Sequence, residues 1–160
     1  MRWVTVRKAG LDALACAWLI RRFIDRDADI LFASWSGIAQ AVDQGFIPFH
    51  VPGYPLAPQK GKTVFAVLLA QAGLSAGSLR VLADLISQAS HASKEAALPM
   101  ARGLAALEAG LRFGPVDDAG NLCLQECILD ALVMGLDAPA GYARPGRDPI
   151  RFALNGRVRG

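Results

Sequence analysis

The feature that most constrains the fold is an unbroken apolar run, Ala13 to Ile20, fenced by Asp12 in front and by Arg21 and Arg22 behind. Crossing a bilayer takes about 20 apolar residues, so this run is too short to span one. Between Asp12 and Ile24, residues Cys16, Leu19, Ile20, Phe23 and Ile24 recur at helical spacing. That spacing predicts a core helix, capped by Asp12, with Arg21 and Asp25 paired on its outside. Ahead of the helix, Trp3-Val4-Thr5-Val6 has the β-branched and aromatic character of a short strand.

The pattern then repeats. Ile30 to Ala33 reads as a second strand, Ser36 to Asp43 as a short helix capped by serine, and Phe46 to Val51 as a third extended segment. Pro48 cannot donate to a ladder and confines the third strand to an edge. Pro52 to Lys62 is a Pro/Gly-rich basic loop that breaks the chain. Beyond it, Val64 to Ala72, Ser78 to Ala89, Ala101 to Phe113 and Leu122 to Met134 carry helical periodicity, with Gly73 and Gly114 as stops. The fold class is therefore α/β (α+β): a small three-stranded sheet with helices in the N-terminal half and an all-helical C-terminal half. A chain of 160 residues fits one domain, placed at 1–137, with 138–160 as a basic Pro/Gly/Arg-rich tail that is extended or partly disordered.

With 53% hydrophobic and 19% charged residues the chain has enough apolar surface to fold, and enough to make self-association an expectation. The apolar run ends in Arg21-Arg22-Phe23-Ile24-Asp25, which is not a cleavage site, so the expected location is cytoplasmic, with no membrane partner. A net charge of +3, much of it in the tail, is too small to indicate nucleic-acid binding. Three cysteines do not make a disulfide framework.

Few residues point to chemistry. Asp12 and Cys16 lie one helical turn apart and can face one ligand, although a cap and a core thiol are the plain reading. A carboxylate beside a thiol raises its pKa and makes it a poor nucleophile. Cys123 and Cys127 share a helical face, lack the further ligands of a structural zinc site, and are read as buried core thiols. Lys60 and Lys62 in the loop, with Arg21 and Arg22 on the first helix, could hold an oxyanion through charge-assisted bonds. Gly61-Lys62-Thr63 lacks the upstream glycine of a phosphate-binding loop.

The opening Met1-Arg2-Trp3-Val4-Thr5 and the run from Asp12 to Asp25 strongly resemble the start of the chromate-resistance protein family, ChrB-type C-terminal domain. Phe49-His50-Val51-Pro52-Gly53 resembles a second landmark, the family's Pro-Phe-Asp-Val-Pro-Gly turn. The likeness covers residues 1 to about 74. In the family this turn is followed by a histidine, a cysteine and Phe-Asp, a set that with Asp12 and Cys16 suits a metal. Here those positions are Pro58, Thr63 and Phe65-Ala66, and a later Gly-Ala-Asp is Gln88-Ala89-Ser90. Most donors are missing, so no metal and no cofactor are expected, unless His50 and His91 rebuild a site with Asp12 and Cys16.

The resemblance implies a role in bacterial chromate resistance or sensing. The leading expectation is a domain that recognises a chromate-like or sulfate-like oxyanion, or a partner, without turnover. Its ligand residues would come from Asp12, Cys16, Arg21, Arg22, His50, Lys60 and Lys62, with Arg22 preferred for the anion. One alternative is a metal- or thiol-dependent enzyme using Asp12, Cys16 and His50. Another is a protein or nucleic-acid interaction module, with homo-oligomerisation among its forms.

Overall fold

Strand β1 (Arg2–Val6) buries Trp3, Val4 and Thr5 in succession, so both of its faces are covered, as befits the middle strand of a parallel sheet. β2 (Asp29–Ala33) and β3 (Ile47–Pro48) pair with it in parallel, giving the order β2-β1-β3. Trp3 lies opposite Ile30 on one side and Ile47 on the other, and Val4 opposite Leu31 and Pro48. Pro48 therefore sits on an edge strand, as its missing N–H requires. A computed structural model describes residues 1–91 and 97–137 of the chain; the tail predicted for 138–160 lies outside the described residues.

On one face of the sheet Val4 packs with Ile38 and Ala41 of α2 (Ile38–Asp43). On the other, Trp3 joins the larger core built on α1 (Leu11–Leu19), every residue of which is buried. That core runs on into α3 (Val64–Gln71), α4 (Gly77–His91), α5 (Pro99–Phe113) and α6 (Asp118–Asp137), so one hydrophobic cluster joins the sheet half to the helical half. Every element of the second half among the described residues is a helix, as the periodicity predicts. Gly73, at a φ of 64°, ends α3 in the left-handed conformation that glycine adopts without strain.

Four local expectations are corrected. The first helix does not run evenly to Ile24: α1 passes into a π turn at Ile20–Ile24, closed by the Asp25 N–H donating to the Ile20 carbonyl at 2.7 Å. Through this turn both arginines reach α6, so Arg21 bonds Glu126 at 3.4 Å, and Asp25 instead accepts from the Trp3 indole at 3.3 Å and from the Met1 ammonium. Phe23 is only partly buried, and Trp18, 1% exposed, is the large side chain at the centre. Ser36 caps nothing; it lies in a 3-10 turn at Trp35–Gly37 ahead of α2, where its hydroxyl is 3.1 Å from that of Ser34.

α6 is 20 residues long with a mean hydropathy of 1.3, and 28% of its apolar window is buried. By length and composition alone it could cross a membrane. In the fold its Leu122, Leu129 and Val133 belong to the core, and its Glu126 and Asp130 hold arginines of the π turn.

Candidate functional site

β1 and β3 end side by side, and both chains turn at their carboxyl ends into a common cavity of about 350 Å³. From β1 come Gly10, Leu11 and Asp12 at the start of α1; from β3 comes His50. Pro58 and Lys62 of the loop, Ala89 to His91 of α4, and Ala105, Glu108 and Arg112 of α5 complete the lining among the described residues. In open parallel sheets a crevice at the strand carboxyl ends is the usual place for a ligand. Here β1 leads into α1 and β3 into the loop before α3, and α1 and α3 share one core beside the cavity.

Asp12 is the keystone of this region. Its carboxylate accepts from the backbone N–H of Val64 at 2.8 Å and of Phe65 at 2.9 Å, so it caps α3 rather than its own helix. The first-turn N–H groups of a helix have no intrahelical acceptor, and a carboxylate there is favoured by the helix dipole as well. The expected cap of α1 is thus corrected: its N-cap is Gly10, with no side-chain bond. Thr63, at a position where the resemblance puts a cysteine, is buried and completes the α3 cap by accepting from Ala66 N–H at 3.3 Å.

His50 places its Nε2 3.2 Å from Asp12 Oδ2. Its backbone has a φ of 55°, a left-handed conformation costing on the order of 1 kcal/mol, held by its N–H donating to the Leu56 carbonyl at 2.7 Å. Cys16 is fully buried, with Sγ 3.9 Å from Asp12 Oδ1. Burial first, then the charge and hydrogen bond of Asp12, push the thiol well above its ordinary range. A thiol this buried and this reluctant to ionise is not equipped as a nucleophile.

His91 reaches the cavity from the end of α4, its Nδ1 3.2 Å from the Ser87 carbonyl. With the Asp12 oxygens committed to α3, no group of three or more His, Cys, Asp or Glu side chains is arranged around a metal among the described residues. The cations are of two kinds. Lys62 is exposed and has no ion-pair partner among the described residues, whereas Arg112 is held by Glu108 one turn earlier on α5.

Asp12, His50 and Lys62, and the further candidate His91, are therefore brought together, with Cys16 directly behind Asp12. Lys60 is an exposed residue of the same loop that does not line the cavity. Arg21 and Arg22 lie outside it, against α6. Arg22 makes a two-point bond to Asp130, at 3.1 Å from Nε and 2.7 Å from Nη2. Partial burial works against its charge, but Asp130, seconded by Glu126 and Cys127, outweighs this and raises its pKa. Arg112 and Glu108 were not singled out by the sequence; an i, i+4 pair on an amphipathic helix reads as ordinary surface charge.

Cys123 and Cys127 are exposed on α6, which corrects their expected burial. They should react with a thiol reagent within minutes in the native protein while Cys16 reacts only on unfolding. Counting two fast thiols per chain and a third in denaturant checks this; three fast thiols would show that the α1 core opens readily.

These features define a small parallel α/β domain with a polar cavity at its strand carboxyl ends. The sequence model described as "ChrB, C-terminal domain" matches residues 3–135, and the chain belongs to that family. Protein ChrB of Cupriavidus metallidurans is 32% identical over 140 residues, covering 86% of this chain and 41% of that protein. The chain thus spans about two fifths of the length of the relative it matches. No solved structure matches.

Proposed function

We propose that this chromate-resistance-related domain is a recognition module that binds a tetrahedral oxyanion of chromate's size and charge in the cavity between β1, β3 and α5, without turnover. The observation that carries the reading is the convergence of Lys62, Arg112, His50 and His91 on one cavity at the strand carboxyl ends, where both acids, Asp12 and Glu108, already have donors. A dianion needs several donors and positive charge, and this is where the described residues offer both. The anion site accordingly moves from Arg22, which lies outside the cavity against Asp130 of α6, to Lys62 and Arg112, which line it. The free thiols are in keeping with action in a reducing compartment, the cytoplasm.

Titration with chromate and with sulfate by calorimetry at two salt concentrations tests this. Arg112→Gln and Lys62→Gln should each weaken binding by about tenfold, and Arg22→Gln should leave it unchanged. Loss of binding in Arg22→Gln with none in Arg112→Gln would place the anion on α6 instead.

A second reading, self-association, is favoured by the large apolar side chains on and around α5: Met100, Leu107 and Phe113 are 49%, 53% and 88% exposed. A molar mass by light scattering that stays at one chain across micromolar to millimolar concentration would dismiss it.

A further inference from the structure

The cavity already holds an anion of its own. Glu108 is a mostly buried carboxylate, its side chain 12% exposed, and it accepts from both Nε, at 2.8 Å, and Nη2 of Arg112. The pair lies directly over the start of α1. A Cβ at Gly10 would come within 2.8 Å of Arg112 Nη2 and at an ordinary 3.6 Å from Glu108 Oε1, so the guanidinium, though not the carboxylate, would have to shift. No side chain caps α1. An incoming oxyanion that sought Arg112 would meet a carboxylate already occupying the inner edge of its fork.

We infer that Glu108 is a tethered competitor: its carboxylate stands in for the oxyanion on Arg112, and a ligand must displace it to bind. This rests on the oxyanion reading above and adds to it the regulation of the same cavity. Two consequences follow from the charges. A dianion competes with Glu108 for Arg112 better than a monoanion does, because the exchange replaces one negative charge with two beside the same guanidinium and Lys62. The domain also stays closed to weakly charged anions such as acetate or chloride, which gain too little from Arg112 to evict a carboxylate that is covalently part of the chain and therefore locally concentrated. Arg112, 48% exposed at its side chain, has room to turn from Glu108 toward a ligand in the cavity, whereas Glu108, 12% exposed, has little.

The test measures sulfate binding, by calorimetry or by amide shifts in NMR, in the intact chain and in Glu108→Gln, with Asp43→Asn as a control for net charge. Asp43 lies at the end of α2 on the opposite face of the sheet. Glu108→Gln should bind sulfate about tenfold more tightly, and should also bind acetate, which the unaltered protein should not. Asp43→Asn should match the unaltered protein, and Arg112→Gln added to Glu108→Gln should abolish the gain. Equal sulfate affinity with and without Glu108→Gln overturns the competitor while leaving the oxyanion site standing. Weaker binding in Glu108→Gln, at unchanged thermal stability, overturns it in favour of Glu108 merely positioning Arg112. No sulfate or chromate binding in either protein overturns both.

Discussion

Asp12→Ala is expected to destabilise the domain by about 3–5 kcal/mol, the cost typical of removing one partner from a buried charged network. Two donors lose their acceptor together, the Val64 and Phe65 N–H groups at the start of α3, and the Nε2 of His50 loses the carboxylate oxygen 3.2 Å away. The Val64 and Phe65 N–H groups are themselves buried, and after truncation only water from the cavity that Asp12 lines could replace the carboxylate. Asp12→Asn keeps one carbonyl oxygen for α3 and should cost roughly half as much. Urea unfolding of both variants measures this. A loss below about 1 kcal/mol for alanine would mean that α3 finds its caps elsewhere, Thr63 being the nearest.

The second large effect is Trp18→Ala. Trp18 is 1% exposed, stacks at 6.3 Å on Phe65 of α3 and meets Phe23 edge-on at 5.5 Å. Its indole N–H donates to Asp130 of α6 at 2.8 Å, so a single side chain joins α1 to both. Truncation should cost about 3–5 kcal/mol through lost burial and an unfilled cavity. Trp18→Phe retains the ring and strands only a carboxylate that keeps Arg22, so about 1–2 kcal/mol is expected. Phe23→Ala, the position that helical spacing favours, should cost less than Trp18→Ala because Phe23 is only partly buried. The reverse order in denaturant unfolding would contradict the packing.

How much of this could be read beforehand depends on whether the controlling contact was local. The strands, the buried first helix and the edge position of Pro48 follow from periodicity and from a missing N–H, both local properties. Asp12 was visible as a cap, but capping a helix 52 residues away is a tertiary fact. Arg21 was expected to pair with Asp25 and Arg22 looked free, because their partners, Glu126 and Asp130, are over 100 residues away. On α6 the polar Asn121 and Gln125 are buried while Leu124 is exposed, so no dominant apolar face told that Cys123 and Cys127 would point outward. Glu108 and Arg112 gain their meaning only from lying against Gly10.

The central claim is the place of the anion, and selenate, a tetrahedral dianion with an anomalous scatterer, locates it directly. Crystals of the unaltered chain or of Glu108→Gln grown with selenate should show the selenium peak in the cavity, within hydrogen-bond reach of Arg112 and Lys62 and over the start of α1. A peak held by Arg21 and Arg22 against α6, or none in the cavity at saturating selenate in either protein, would contradict it.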